Sequence, residues 1–420
     1  MDSAPEQSQV KIPWFLIFIL LASTTINYVD RIAISVLAPT LRDEFAMSNS
    51  SYAWVVNSFQ FGYLIFYSVG GRLADRWGFR LALTVYVLWW SGAGMLHAFA
   101  TGAVSLAIFR LLLAVGEGGT WPTALKAVAQ SVPGPMRSFT TGIVNSGAAV
   151  GAMIAPPLVG WLALNWGWRA AFLATGSLGL IWLPFWRIAT ARSARALPDQ
   201  PAPKGASWLS ILKYKQAWAV AAARCVGDPM YTFYLFWLPE YLTRERGMDL
   251  SGIAMVAWIP FLAADIGNLV GGGITSWLIA RGWSAQRARG TIMWATAIGT
   301  VVGMAVPFVE STAASIAILA LTCMLYMTWS VNVMILPSDW FASENVGTVL
   351  GLSGTGNGIG GLIGNAVVGR VLDRTGSYRM VFVGVGCLVV VAQTLLTLIG
   401  GKIERLDDRE SELGVKLARN

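Results

Sequence analysis

Seven charged residues stand inside long apolar runs of this chain: Asp30, Arg31, Arg110, Glu117, Arg224, Asp228 and Asp265. A charge in such surroundings is costly, so it normally faces a cavity or a partner and marks a pathway. Three arginines can build an anion site, because guanidinium stays charged and its planar fork fits a carboxylate. Such a site cannot be relieved by losing a proton; a bound anion relieves it. The carboxylates offer a different chemistry. A carboxyl beside an arginine gives up its proton readily, and one in a closed low-dielectric cavity retains it. A group alternating between those surroundings loads a proton on one side and releases it on the other. Arg110 and Glu117 are seven residues apart, hence on one helix face and two turns (~10 Å) from each other. They pair directly only if both side chains bend together; otherwise each pairs across to another helix. For Arg110 the plainer alternative is a static ion pair that holds its helix in place.

The elements that must position these groups follow from composition. Of 420 residues, 55% are hydrophobic and only 12% charged, roughly half the charge of a soluble protein. The charges cluster between apolar stretches of about 20 residues, each long enough to cross a ~30 Å hydrocarbon layer as a helix. The formal net charge of +8 sits in short basic segments beside those stretches, a topology signal for anionic lipid and not a nucleic-acid surface. Cys225, Cys323 and Cys387 lie in apolar runs without metal-site or disulfide spacing, and His97 near a span end suits packing. Neither a metal nor a cofactor is expected. The polar start with Asp2, Glu6 and Lys11, before a hydrophobic run of about 25 residues, argues for a retained first span and against a cleaved signal.

Punctuation divides the chain into spans at 13–39, 52–74, 81–100, 104–129, 140–164 and 170–188, then at 217–242, 253–279, 291–308, 313–336, 347–372 and 381–399. The expected organisation is a cytoplasmic tail (1–12), a six-helix bundle (13–188), a basic linker (189–215), a second six-helix bundle (216–401) and a cytoplasmic tail (402–420). Most Lys and Arg fall on the side of the chain ends, which places both termini in the cytoplasm. The link around Ser338 to Asn345 departs from that rule, since it belongs inside and carries no Lys or Arg.

A repeat supports the division. Gly71-Arg72-Leu73-Ala74-Asp75-Arg76-Trp77-Gly78 follows the second span, and Gly369-Arg370-Val371-Leu372-Asp373-Arg374-Thr375-Gly376 follows the eleventh. A weaker copy, Gly160 to Gly167, ends the fifth. The first copy is expected inside and the other two outside, as in repeats of opposite orientation. Its glycines allow close helix approach, and Asp75 can take a neighbouring helix N-terminus or an arginine, latching one gate.

At Gly71 through Arg80, including Asp75, Arg76 and Gly78, the chain resembles the signature between the second and third helices of the major facilitator superfamily. Asn27-Tyr28-Val29-Asp30-Arg31 and Glu117-Gly118-Gly119-Thr120-Trp121-Pro122 resemble its anion:cation symporter branch. The segments Gly147 to Pro157 and Ile253 to Pro260, with Arg224 and Asp228-Pro229, resemble bacterial hexuronate and aldonate carriers. The resemblance covers nearly the whole chain. It implies an all-α integral membrane fold of twelve transmembrane helices in two six-helix bundles with inverted repeats, in a bacterial cytoplasmic membrane. It also implies proton-coupled import of a small organic anion, a sugar acid. In the resembling symporters the equivalents of Asp30 and Glu117 serve proton coupling, and the same roles are expected here. Arg31 and Arg224 are then expected to bind the substrate carboxylate, with Arg110 as a charge partner. The resembling aldonate carriers place a glutamine where Ala148 stands, so the hydroxyl pattern recognised differs.

Asn27, Tyr28, Tyr63, Asn145, Thr328, Ser330, Asn332, Ser353 and Asn357 are candidate readers of sugar hydroxyls; the alternative for each is an interhelical hydrogen bond, ~0.6 kcal/mol on average. Gly356 to Gly361 fits a dinucleotide glycine spacing, but inside an apolar span it serves helix packing. An exporter of cations is disfavoured by three buried arginines, and an organophosphate exchanger has less use for Asp30 and Glu117. An enzyme needs a catalytic cluster that is missing here. A monomer is the expected state.

Overall fold

The computed structural model describes residues 13–132, 134–192, 211–341 and 343–403, and these are helical throughout apart from short links. The expected tails 1–12 and 404–420, and most of the linker, lie outside the described residues, as does the side chain of Asp75.

Twelve crossings can be followed. The first comprises Trp14–Val36 and a continuation, Ala38–Glu44. The second and third form one hydrogen-bonded run, Asn49–Leu96, broken at Gly78. The fourth is Ala103–Ser131, and the fifth and sixth form the run Gly134–Arg192, broken at Gly167. The seventh is jointed, Lys215–Gly227 and Pro229–Arg246, and so is the eighth, Leu250–Val256 and Ile259–Ala280. Ala285–Gly299 continues as a 3₁₀ segment, Thr300–Phe308, to make the ninth. Thr312–Trp340, Ser343–Thr375 and Tyr378–Gly400 complete the set. The joints in the first, seventh and eighth spans coincide with Pro39, Pro229 and Pro260 at the start of the following helix. Proline lacks the N–H that a continuous ladder needs, yet its fixed φ suits a first turn.

Eight helices are long and apolar enough to cross a membrane by composition, and one of them, Thr140–Ala191, holds two crossings. The second, seventh and eleventh spans fall short of that measure. These spans pack against the opposite half and not only against lipid, which is why they tolerate polar residues.

The glycine closing each repeat has a common fate. Gly78, Gly167 and Gly376 adopt φ values of +76°, +82° and +62°. A fourth, Gly282 at +90°, occupies the same place between the eighth and ninth spans, where the sequence repeat is too worn to read. Left-handed φ is open to glycine at little steric cost, so one residue type makes the reversal in all four inverted units.

The buried apolar residues fall into two clusters. One fuses Val29 to Val56 of the first half with Ile211 to Leu242 and much of the second half. The other contains only first-half residues, among them Leu16, Phe59, Trp90 and Trp186. The halves therefore share a core toward the 37–50 end of the molecule and part company toward the chain ends.

Candidate functional site

Arg31 projects from the middle of the first span, one turn beyond Asn27 and Tyr28. It donates from Nε and Nη2 to Oε2 of Glu117 on the fourth span, at 3.0 and 2.9 Å, and from Nη2 to Asn27 Oδ1 at 3.2 Å. Its guanidinium also lies 4.7 Å from the ring centroids of Tyr28 and Tyr63 and 4.9 Å from that of Phe59. Three ring faces and one carboxylate thus fix the cation, and desolvation strengthens each contact. The side chain of Arg31 is 12% exposed while that of Glu117 is 0%, so the cation stands in front and its counter-charge behind.

Arg110 does not pair with Glu117, contrary to one of the two arrangements its spacing permits. It is fully buried, donates from Nη1 to the Arg31 carbonyl at 3.3 Å and lies 4.4 Å from the Phe59 ring. Of the three arginines, Arg110 is thus enclosed and does not face the seam. Asp30 points away from Arg31 into the first-half interior. Among the described residues neither carboxylate oxygen has a hydrogen-bond partner, and Gly94 lies within van der Waals reach of it. Glu117 Oε1 is likewise unpartnered. An unpartnered buried polar oxygen is expensive; among the described carboxyls Asp30 has two, and Glu117 shares its one with Glu240 and Asp265.

In the second half Arg224 forms an ion pair with Asp228, one turn on, at 2.7 Å, and donates from Nη1 to Ser330 Oγ at 3.1 Å. Asp228 occupies the joint of the seventh span, just before Pro229. It accepts from Tyr326 Oη at 2.7 Å and from Asn357 Nδ2. Tyr326 stacks on Tyr231 with centroids 5.3 Å apart. Exposure repeats the first-half pattern, 13% for Arg224 and 1% for Asp228. Ser353 is buried one turn before Asn357. The two arginine sites border one seam: beside Asn357, a side chain at Gly358 would meet Leu64, the neighbour of Tyr63.

Of the remaining hydroxyl readers, Thr328 donates to the Gly267 carbonyl at 2.9 Å and Asn332 accepts from Thr275 at 2.9 Å. Both serve helix packing, the alternative their sequence context allowed. Asn145 is exposed and, among the described residues, makes no hydrogen bond to either arginine site. Asp265 is half-buried, and its Oδ2 has no partner.

Hydrogen bonds and ion pairs between the halves lie, among the described residues, on one side of this site. Arg42 pairs with Glu240, which also accepts from Arg244, and Arg244 reaches Asp43. Ser35 and Tyr52 donate to the carbonyls of Leu235 and Phe236 at 2.7 and 2.8 Å. Asp373 accepts from the backbone N–H of Asn49 and Ser50 at 2.8 and 2.9 Å, and from Asn49 Nδ2. A carboxylate on the first turn of a helix satisfies free N–H groups and the dipole together. The helix-capping latch expected of Asp75 is thus made by its counterpart in the eleventh-span copy. Gly71, Arg76, Gly78 and Arg80 lie on the opposite face. There Arg76 and Arg80 are exposed, and the Arg80 carbonyl accepts from Trp186 at 3.3 Å. Within the link that carries no Lys or Arg, Asp339 pairs with Arg289 of the ninth span, which neutralises its charge.

The sequence alone did not mark Phe59, Tyr326, Tyr231, Arg42, Glu240 or Arg244. Aromatic residues are common in this chain, and charges near span ends are ordinary.

The profile of the Major Facilitator Superfamily matches residues 20–365. A probable sulfoacetate transporter of Cupriavidus necator is 30% identical over 93% of this chain and 94% of its own length. The hexuronate transporter of Bacillus subtilis is 30% identical over 92% of this chain and 93% of its own. Among solved structures, a bacterial homologue of the human lysosomal transporter Spinster, inward-facing and unoccupied, superposes with a TM-score of 0.78 at 17% identity, covering 96% of this chain and 98% of that one.

Proposed function

This chain belongs to the Major Facilitator Superfamily, and we propose that it imports an organic anion, a sugar acid of the hexuronate or aldonate kind, by proton symport with alternating access. It is a multi-pass membrane transport protein and not an enzyme. The anionic cargo named for relatives spanning nearly the whole chain supports the substrate class. One observation carries the coupling: Arg31 on the first span is held by Glu117 on the fourth, 86 residues away, with the cation toward the seam.

The mechanism follows from that placement. A substrate carboxylate approaching Arg31 competes with Glu117 for the same donors. A carboxylate relieved of its arginine in a closed site is stabilised by taking a proton. Substrate and proton are therefore bound together and released together. Asp30, enclosed behind Arg31 and short of partners, serves as a second proton station, and Arg110 holds its position between them through the Arg31 backbone. Arg224, Ser330, Ser353 and Asn357 receive the substrate from the second half, with Asn27, Tyr28 and Tyr63 completing the first-half wall.

We further propose that bundles 13–188 and 216–401 rock about this site, with both tails in the cytoplasm and the protein in a bacterial cytoplasmic membrane. On that orientation the sealed face is outward and the site opens inward. The Arg42–Glu240–Arg244–Asp43 cluster and the Asp373 cap then act as the outer gate.

The test is uptake of labelled D-glucuronate, D-galacturonate and D-galactonate into proteoliposomes. Accumulation above equilibrium under an inward proton gradient, lost when the gradient is collapsed, is the expected result. Uptake of none, with exchange only against preloaded anion, overturns the symport reading in favour of an exchanger.

A further inference from the structure

The structure assigns a lipid-binding site to a groove between the seventh, eleventh and twelfth spans: one acyl chain of an anionic phospholipid lies in it, with the headgroup on Arg374.

The groove arises from the way three spans meet. The eleventh and twelfth are joined by the reversal at Gly376, yet each packs more on the seventh than on the other. The gap between them encloses about 460 Å³ and is floored by Cys225, Val226 and Pro229. Glycine supplies much of its width. Gly360 and Gly364 line one wall and Gly384 the other, and a Cβ at Gly384 would meet nothing within 4 Å. The floor belongs to the same turns of the seventh span as Arg224 and Asp228, so the groove and the second-half arginine site lie on different sides of one helix.

No charged side chain lines this groove, and Cys225 carries its most polar group. A polyhydroxylated anion finds no partner there, whereas a hydrocarbon chain gains contact with carbon on three sides. The length agrees. From Gly360 to Val371 the eleventh span rises about 16 Å, roughly half of a ~30 Å hydrocarbon layer. That is the depth of one leaflet. Ile363, Val367 and Met380 on the rim are exposed, so the groove opens toward the bilayer.

Positive charge lies at the matching end. Arg374 follows Val367 and Val371 on one helix face. It is exposed and makes no ion pair among the described residues. Asp373 beside it is spent on the amides of Asn49 and Ser50, and Glu245 accepts from the Tyr378 amide at 3.4 Å. Arg379, next to Met380, is also exposed, with its guanidinium 5.8 Å from the Phe308 ring centroid. A cation at headgroup level above an apolar slot suits an amphiphile with a negative head.

The purified full-length protein in mixed micelles is irradiated with a phosphatidylglycerol carrying a diazirine near the end of one chain, and labelled peptides are mapped by mass spectrometry. Labelling is expected to concentrate in 225–229, 360–371 and 380–388. Unlabelled phosphatidylglycerol is expected to compete about fivefold better than phosphatidylcholine, the scale of one basic side chain at a charged surface. In Arg374→Gln that ratio falls to about one, and in Gly384→Leu the labelling of these peptides is lost. Arg374 is exposed, so its variant keeps the fold and decides the point if Gly384→Leu does not fold. Labelling spread evenly over the bilayer-facing helices overturns the inference, and so does equal competition by the two lipids. Protection of these peptides that rises with protein concentration and not with lipid gives the groove to a second copy of the chain, and overturns it as well.

Discussion

The two arginine sites look alike from the seam and differ in what stands behind them. Arg31 is tied to a carboxylate on another helix, whereas Arg224 is tied to one on its own helix, a single turn away. A pair within one helix moves as a unit and survives any rearrangement of its neighbours. A pair between helices is made or broken when they shift. Glu117 also has one oxygen unpartnered, while both oxygens of Asp228 are engaged. On the proposed mechanism the first half holds the element that exchanges a proton for a substrate, and the second half holds a fixed receptor. Similar exposure of two cations does not imply similar roles.

Substitutions that break this difference are ranked by expected effect. Arg31→Gln leaves Glu117 buried without its cation, and removing one partner of such a pair costs about 3–5 kcal/mol. Uptake is expected to fall below detection, with a lowered melting temperature in detergent. Glu117→Gln comes next: gradient-driven accumulation disappears, while substrate exchange across the membrane stays within about tenfold, because binding of the anion is spared and the proton step is not. Loss of exchange together with accumulation removes the coupling role from Glu117. Asp228→Asn keeps the size of the side chain and part of its hydrogen bonding, so about a tenfold rise in KM is expected with coupling intact. A coupling defect there erases the contrast between the halves.

Phe59→Leu probes the ring between Arg31 and Arg110, where loss of cation–π contact is worth about 0.5–2 kcal/mol; weaker substrate affinity with unchanged proton dependence is expected. Asp373→Asn is the mildest. Loss of a charged helix cap is worth about 0.5–2 kcal/mol, and it should speed hydrogen exchange at the Asn49 and Ser50 amides several-fold.

Much of the scaffold was legible in the chain. Apolar runs and basic punctuation marked the spans, because a bilayer leaves helices few alternatives. The Gly71–Gly78 repeat marked three of the four reversals, and only Gly282 escaped, because Thr275 stands where the other three copies begin with glycine. Arg31, Glu117 and Arg224 stood out because charge in apolar sequence is rare. Their partnerships did not stand out. The Arg31–Glu117 contact is set by packing of the first span against the fourth, and no local pattern reports it. Thr328 and Asn332 were equally eligible as substrate contacts or helix fasteners, since a hydroxyl or amide has the same chemistry in either place. Asp373, the counterpart of Asp75 in the repeat, makes a helix cap of the kind expected at Asp75, whose own side chain lies outside the described residues.

The counter-charge carried behind each cation has an electrical consequence. On the proposed alternating-access cycle, Arg31 travels with Glu117 and Arg224 with Asp228 as the emptied carrier turns over, so these pairs move no net charge through the bilayer's field. Each uncompensated charge would meet about 2.3 kcal/mol per 100 mV. Membrane voltage is thus largely blind to the return stroke at these positions. It acts on the loaded stroke, through the difference between protons carried and charges on the cargo.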